Sequence, residues 1–186
     1  MTNYDVAIVG GGILGLSTSY VLRKKFPKLR IILFEKESSI SMHQTGHNSG
    51  VIHSGIYYKP GSSKAHNCRL GVSLLKKFCD EYSVPYEMCG KLIIATEPSE
   101  LEKLNILYKT GNENGLKGLR IIGASEMKDY EPFSNGLSAI HCPETGIIDY
   151  IELCKKFEQI ISQDITIKLN SKVVEINNCK NSITIC

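Results

Sequence analysis

Three glycines near the start of the chain have the spacing of a site that binds a dinucleotide. Gly10, Gly12 and Gly15 follow a short apolar run at residues 5–9. In this pattern the first glycine permits a tight turn, the second lets the backbone approach a pyrophosphate, and the third lets a helix pack closely. The pyrophosphate would then lie against the N-terminal N–H groups of a helix that begins near Ile13.

An acidic residue at the expected distance completes the pattern. A second apolar run, residues 30–34, ends at Glu35, which lies 20 residues beyond Gly15. A carboxylate there would accept hydrogen bonds from the ribose hydroxyls of an adenosine, and its charge would repel a 2′-phosphate, which disfavours NADP. Three glycines alone can mark any tight turn. The strand before them, the helix after them and the acid together predict a βαβ dinucleotide-binding unit.

Length and composition are those of an ordinary globular protein. The 186 residues are 42% apolar and 22% charged, which allows one sizeable core or one domain with a partial second. The formal net charge is only +3 and the basic residues are scattered, so nucleic-acid binding has little support. Because the sequence shows no membrane-length apolar run and the glycine pattern begins close to Met1, we expect no signal or transit peptide and a cytoplasmic location.

The cysteines and histidines do not predict a metal site. None of the seven cysteines forms a CxxC pair or has metal-ligand spacing with the five histidines, so we expect reduced core or surface thiols. His43 and His47 are four residues apart, but Gly46 argues against the helix that would align them. No metal is therefore expected.

Small and polar residues follow the acid over residues 38–50 and lead into residues 51–60, where a histidine lies among glycines and aromatics. A surface loop is the ordinary interpretation of such composition. This loop, however, leaves the carboxyl edge of the predicted sheet, where ligands of such folds bind. A site where the backbone approaches a ligand therefore fits it better.

Several stretches resemble the L-2-hydroxyglutarate oxidase/dehydrogenase family, part of the FAD-dependent glycine/D-amino-acid oxidase-like superfamily. They are residues 5–16 (DVAIVGGGILGL), 43–61 (HQTGHNSGVIHSGIYYKPG), 85–96 (PYEMCGKLIIAT) and 143–150 (PETGIIDY). The glycine pattern is shared by the whole superfamily, whereas residues 43–61 and 143–150 are more specific. The resemblance covers essentially all of this sequence but only about the first half, the N-terminal half, of a family member.

The resemblance implies FAD as cofactor and the oxidation of L-2-hydroxyglutarate to 2-oxoglutarate. We expect the function to be incomplete in this chain alone. The reaction needs a base for the C2 hydroxyl proton and a site that holds two carboxylates and excludes water. Electrons would pass to oxygen or to a membrane quinone; a quinone would place the protein peripherally at the inner face of the membrane. The alternatives are another hydroxy-acid or amine oxidase of the superfamily, and a non-catalytic dinucleotide-binding fragment. The missing C-terminal half could also be supplied by a separate chain.

The cofactor contacts implied by the resemblance come from the glycine turn, the acid and the loop that follows. The predicted cofactor-binding residues are Gly10, Gly12, Ile13, Leu14, Gly15, Glu35, Lys36, Thr45, His47, Asn48, Ser49, Gly50 and Val174. For Asn48, Ser49 and Gly50 a simple turn stays an equal alternative. His43 and His47 are also expected as hydrogen bonders within the loop.

His53 is the predicted catalytic residue. The residues alone favour a core histidine bonded to a backbone carbonyl. In related flavoenzymes the matching segment runs under the cofactor, so the resemblance implies that His53 lies near the flavin. Four cations are candidates to meet a dicarboxylate, although each alone is expected to be solvated: Lys59, Lys64, Arg69 and Lys91.

The remaining pattern predicts an α/β fold, in which a Rossmann-like FAD-binding βαβ domain carries an inserted mixed α+β substrate domain and is apparently truncated. Residues 1–60 and 148–186 are expected to form the FAD-binding domain, and residues 61–147 part of the substrate-covering domain. Apolar periodicity predicts helices at 64–82, 101–110, 125–130 and 151–161, and strands at 91–96, 119–122 and 137–141. Alternation at 165–169, 173–176 and 183–185 predicts a returning strand of the nucleotide sheet and the start of an antiparallel meander.

Overall fold

The structure is a computed structural model that describes residues 3–180 and 182–186. The chain forms two compact units: the first contains the chain up to Ser49 and from Asp149 onward, and the second is Gly50–Ile148. The second unit begins about ten residues before the predicted start of the inserted domain. Residues Val51–Ile52 form a strand that pairs with Gly146 and Ile147, near the C-terminal end of that unit.

The described chain contains five α-helices and eleven strands, and a short 3-10 helix, Pro98–Glu100, precedes α3. In chain order the elements are β1 (Val6–Val9), α1 (Ile13–Lys25), β2 (Ile31–Phe34), β3 (Val51–Ile52), α2 (Ser63–Tyr82), β4 (Tyr86–Glu87), β5 (Lys91–Ala95), α3 (Leu101–Glu113), β6 (Arg120–Gly123), α4 (Ala124–Tyr130), β7 (Ser138–Cys142), β8 (Gly146–Ile148), α5 (Tyr150–Ile161), β9 (Thr166–Lys168), β10 (Ile176–Cys179) and β11 (Ser182–Ile185).

The first unit is built on a parallel sheet with the strand order β1-β2-β9. β1 pairs with β2 in the register Val6↔Ile31, and β9 returns to the other side of β2. Helices α1 and α5 pack together, with the rings of Tyr20 and Phe157 edge to face at 5.5 Å. The βαβ unit and the returning strand are those predicted, because buried β-branched runs and glycine turns are strong local signals. β10 and β11 form the predicted antiparallel hairpin.

The second unit contains two antiparallel sheets, β3-β8-β4 and β5-β7-β6. Neighbouring residues of β7 pack into two different small cores. Ile140 packs in a cluster with Leu104 of α3, and Ala139 packs in a cluster with Met127 of α4. This period of two places one helix on each face of the sheet. Helix α2 begins where predicted, because the hydroxyl of Ser62 accepts a hydrogen bond from the N–H of Ala65 at 3.2 Å.

All seven cysteines are free, and Cys79, Cys142 and Cys154 are buried. The described helices include none that is both long enough and apolar enough to span a membrane.

Candidate dinucleotide-binding site

The glycine turn between β1 and α1 is closed toward the sheet and open away from it. Gly10 has a φ of +107° and donates its N–H to the carbonyl of Phe34 at 2.8 Å. A Cβ on Gly15 would lie 1.9 Å from the carbonyl oxygen of Gly10, so only glycine fits there. A Cβ on Gly10, in contrast, would have no described atom within 4 Å beyond its chain neighbours. The turn therefore presents bare backbone on its open side, as binding of a pyrophosphate requires.

Glu35 lies buried at the end of β2, with 8% of its surface exposed. Its Oε2 accepts a hydrogen bond from the N–H of Gly11 at 2.6 Å, and its Oε1 accepts one from the N–H of Glu37 at 3.0 Å. The N–H of Glu35 donates to the carbonyl of Lys168, the last residue of β9, at 2.8 Å. The carbonyl of Glu35 accepts the N–H of Ser171 at 2.8 Å. A carboxylate has about four acceptor sites, so about two are left for ribose hydroxyls.

The loop after Glu35 is joined to the glycine turn at two points. The hydroxyl of Thr45 accepts the N–H of Ile13 at 3.2 Å, which caps α1 where Gly12 has no side chain to do so. The N–H of Ser41, a residue with φ of 62°, donates to the carbonyl of Gly11 at 3.1 Å. The loop thus holds the first turn of α1 in place.

Two histidines of this loop form hydrogen bonds within it. His43 Nε2 lies 2.8 Å from Glu37 Oε1, and the hydrogen bond from His43 lowers the pKa of Glu37. His47 Nδ1 lies 2.9 Å from the carbonyl of His43. The side-chain amide of Asn48 donates to the carbonyl of Thr45 at 2.7 Å, as in a turn.

The structure brings together only part of the predicted cofactor set. Gly10, Gly12, Ile13, Gly15, Glu35 and Thr45 form one connected group through the contacts above. The side chains of Leu14, Lys36 and Ser49 are exposed, and Lys36 forms an ion pair with Glu37 at 3.5 Å.

The two other members of the set are Gly50 and Val174. Gly50 belongs to the second unit. Val174 is exposed, and its N–H donates to the carbonyl of Cys186 at 2.7 Å. That N–H is therefore already engaged within the chain.

Two residues of the site were missed from the sequence. Gly11 supplies the N–H that Glu35 binds, and the uninterrupted run Gly10-Gly11-Gly12 was an available signal for it. Ser41 adopts the left-handed conformation under the loop, and nothing in the sequence around it marks that role.

In the second unit, His53 is exposed and so is not the core histidine that its residue type alone favoured. Its carbonyl accepts the Sγ–H of Cys68 at 3.1 Å. The next residue, Ser54, is buried, and its hydroxyl lies 3.4 Å from Cys142 Sγ. The first of these bonds holds the backbone carbonyl of His53, and the second holds the side chain of Ser54. Among the described residues, no group of three or more His, Cys, Asp or Glu side chains is arranged to hold a metal.

A family model described as FAD dependent oxidoreductase matches residues 5–184. The mitochondrial L-2-hydroxyglutarate dehydrogenase of Dictyostelium discoideum is 49% identical over 180 residues, which are 96% of this chain and 40% of that protein. The human protein of the same name is 49% identical over 158 residues, 85% of this chain and 34% of that protein. The chain thus spans between a third and two-fifths of the length of these curated relatives.

Solved structures give the same picture of the fold. Dithionite-reduced L-alpha-glycerophosphate oxidase from Mycoplasma pneumoniae with FAD bound matches with a TM-score of 0.92 and 28% identity, over 100% of this chain and 50% of that chain. Glycine oxidase from Geobacillus kaustophilus matches with a TM-score of 0.88 and 19% identity, over 98% of this chain and 50% of that chain, which shows the fold alone. Because the family model matches nearly every residue, this chain belongs to the FAD dependent oxidoreductase family.

Proposed function

We propose that this chain supplies the cofactor-binding part, and part of the substrate site, of an FAD-dependent oxidation of L-2-hydroxyglutarate to 2-oxoglutarate. The observation that supports this best is the open glycine turn, flanked by Glu35 and Thr45, in a chain 49% identical to a protein named for that dehydrogenase. The first unit would bind FAD. The second would form part of the domain that covers the substrate.

The first unit fits the pyrophosphate and ribose of FAD. The backbone at Gly12, Ile13 and Leu14 would bind the pyrophosphate, where the helix dipole favours an anion. The acceptor sites left on Glu35 would bind ribose hydroxyls. Further proposed cofactor contacts are Lys36, His47, Asn48, Ser49, Gly50 and Val174. When bound, FAD supplies the acceptor that takes the C2 hydrogen of the substrate with its electron pair.

His53 would act as the general base. As the C2 hydrogen leaves with its electron pair, the C2–O bond becomes a carbonyl and the hydroxyl proton passes to the imidazole of His53. The exposure of the side chain leaves it accessible, and the bond from Cys68 to its carbonyl fixes its main chain.

Glycerol 3-phosphate is the second candidate substrate, because the solved L-alpha-glycerophosphate oxidase shares 28% identity with this chain at a TM-score of 0.92. A non-catalytic fragment that binds a dinucleotide is the candidate from a different class. It follows from the chain spanning only 40% of a relative's length.

The first experiment titrates FAD into the purified chain and records the absorbance spectrum. We expect a bound-flavin spectrum for the wild-type chain and its loss in Gly12→Ala. Failure of the wild-type chain to bind FAD would contradict the cofactor assignment.

The second experiment adds, as a separate chain, the part of the Dictyostelium relative that this chain does not match. Substrate is then added without oxygen. We expect L-2-hydroxyglutarate, but not its D enantiomer or glycerol 3-phosphate, to bleach the flavin spectrum. Bleaching by glycerol 3-phosphate alone would favour the second candidate, and bleaching by none would favour a non-catalytic fragment. A quinone analogue and oxygen, supplied in turn to the reduced protein, would identify the electron acceptor.

A further inference from the structure

Lys91 is a half-buried cation without a carboxylate partner among the described residues. It begins β5, opposite the buried Cys142 of β7. Its Nζ lies 4.6 Å from the centroid of the Tyr57 ring. None of the ion pairs among residues 3–180 and 182–186 includes it.

Holding a lysine in this position has a cost. Burial disfavours the charged form and lowers the pKa of Lys91. The ring of Tyr57 offsets part of this cost, because the face of an aromatic ring attracts a cation, but it supplies no negative charge. An anion bound here would therefore gain a partially desolvated, prepositioned ammonium group.

The other candidate cations are differently placed. Arg69 is neutralised by Glu144, whose Oε2 also accepts the N–H of Lys117 at 3.2 Å. Lys59 and Lys64 are exposed to solvent. Of the four cations considered for a dicarboxylate, Lys91 alone is both partly buried and without a carboxylate partner in the described chain.

Lys91 and His53 follow segments that flank the N-terminal end of β8 on its two sides. His53 follows directly on β3, whose last residue, Ile52, pairs with Gly146. On the opposite side of that strand, Gly90 donates its N–H to the carbonyl of Thr145 at 2.8 Å, and Lys91 follows directly. Strands are spaced about 4.8 Å apart, so the backbones at His53 and Gly90 are about 10 Å apart across the end of β8. The side chains of His53 and Lys91, with a five-carbon diacid between them, can span that distance.

The backbone turn that carries Tyr57 is held by a separate contact. The side-chain amide of Asn114, just beyond α3, donates to the carbonyls of Gly55 and Tyr58 at 3.1 and 2.7 Å. The turn that carries Tyr57 is therefore fixed from the helix side. The ammonium group of Lys91 thus lies over a ring whose main chain is hydrogen-bonded on both sides.

We propose that Lys91 binds a carboxylate of the substrate, with Tyr57 holding its ammonium group in place. The inference rests on the proposed function and adds the residue that recognises the acid. The ammonium group has three N–H donors, one of which can form a charge-assisted hydrogen bond to a carboxylate oxygen. Lys91 would be a specificity residue, and the proton transfer would remain with His53.

The test follows Lys91 directly in the full chain labelled with [ε-¹³C]lysine. NMR signals are recorded while 2-oxoglutarate, L-2-hydroxyglutarate, butanoate or glycerol 3-phosphate is added. The Lys91 signal is identified by its absence in Lys91→Met. We expect both dicarboxylates to move it saturably and to raise its pKa, because a bound carboxylate favours the charged form.

The variants test whether this contact matters for binding. Lys91→Met should weaken dicarboxylate binding by about tenfold or more, the loss expected for a charge-assisted hydrogen bond. Lys91→Arg should retain much of the affinity, and Lys109→Met, at an exposed position of α3, should bind as the wild type does. Circular dichroism of each variant shows whether it is folded.

The outcomes separate this inference from the proposed function. If dicarboxylates bind the wild type and Lys91→Met equally, the role of Lys91 is overturned and the proposed function stands. If glycerol 3-phosphate moves the Lys91 signal and the dicarboxylates do not, both are overturned. If no dicarboxylate shifts any signal of the chain, the dicarboxylate site in this chain is overturned, whereas flavin bleaching by L-2-hydroxyglutarate would still support the proposed function.

Discussion

The carboxylate of Glu35 accepts a 2.6 Å hydrogen bond from the backbone N–H of Gly11, across 24 residues of sequence. The residue proposed to bind the ribose is therefore also a structural link between β2 and the glycine turn. A charged acceptor and a buried backbone donor form a strong bond, and removing either leaves the other unsatisfied. Two substitutions that remove different numbers of acceptor oxygens measure the two roles.

Glu35→Ala and Glu35→Gln should both lower FAD affinity and stability, with the larger loss of stability in Glu35→Ala, because glutamine can still accept one of the two backbone N–H groups while its NH2 faces the other. Alanine leaves the N–H groups of Gly11 and Glu37 without an acceptor, which costs about 1–3 kcal/mol of unfolding free energy. Glutamine keeps one acceptor oxygen but loses the charge, so FAD should bind about tenfold more weakly or worse. Denaturant unfolding and fluorescence titration measure the two effects. Wild-type FAD affinity in Glu35→Gln would contradict the ribose assignment.

Alanine substitutions at two glycines should have opposite effects on folding and on binding. At Gly15 the new Cβ would lie 1.9 Å from a backbone oxygen, so Gly15→Ala should lose about 3 kcal/mol of stability or more. At Gly12 the new Cβ would lie 3.2 Å from Thr45 Oγ1, an atom that can move, and the backbone is extended. Gly12→Ala should therefore fold and lose FAD. Thermal unfolding beside an FAD titration tests the pair, and FAD binding by a folded Gly12→Ala would show that the turn has only a structural role.

Local patterns with strict spacing were predictable from the sequence. The glycine run, the acid at Glu35 and the apolar strand pattern each reflect a local steric or charge requirement, and the predicted family and α/β fold are confirmed. FAD as the cofactor is confirmed at the level of the family. Residues 43–61 made the resemblance specific because their order, rather than their composition, is distinctive.

Contacts between distant short segments were not predictable. The sheet β3-β8-β4 uses strands of two or three residues that are far apart in sequence, too short for any periodicity to be read. The pairing of Glu37 with His43 depends on a loop conformation that includes the left-handed Ser41. The position of Lys91 over Tyr57 depends on Asn114, which binds the turn that contains Tyr57. Such features follow from tertiary structure and carry no local signal.

Asp5 and Arg30 should give the chain a measurable acid dependence. Arg30 donates to both carboxylate oxygens of Asp5, and the hydrogen bond from the guanidinium lowers the pKa of Asp5 from 3.8 to about 2. A depressed carboxylate pKa stabilises the fold above 3.8, and this contribution is lost as the pH falls toward about 2. Carboxyl NMR titration should show the low pKa in the wild type and a clearly higher one in Arg30→Met, in which the backbone N–H of residue 30 can still donate to Asp5. An ordinary pKa in both would contradict the pairing, which salt should also weaken.

His53→Gln should impair chemistry and leave the cofactor in place. His53 is proposed to accept the hydroxyl proton of the substrate. Loss of a general base typically lowers turnover by about 10²–10⁴-fold. The variant is assayed in the two-chain protein described above, with FAD affinity of the 186-residue chain measured beside it. His66→Gln, on helix α2, is a control whose turnover should match the wild type. Equal turnover for His53→Gln and the wild type would exclude His53 as the base.

An apolar groove on the first unit leads to the last prediction. A cavity of about 740 Å³ lies between the sheet and the hairpin, and seven apolar side chains contribute to its lining. They are Ala7, Val9, Ile32, Phe34, Ile176, Ile183 and Ile185. Val9 and Ile183 are 55% and 65% exposed, which is unusual for side chains of this type within strands. We therefore expect the chain alone to bind a hydrophobic dye and to associate with itself.

The 186-residue chain alone should not turn over L-2-hydroxyglutarate. It spans 40% of the length of its Dictyostelium relative, and a site open to water weakens the electrostatic contacts that catalysis needs. The unmatched part of that relative, added as a second chain, should bury the apolar groove, reduce dye binding and restore turnover. Reduction of an artificial electron acceptor measures the activity, and Ile183→Lys, which places a charge in the groove, should weaken the restoration. Turnover of about 1–10³ s⁻¹ by the chain alone would refute this prediction.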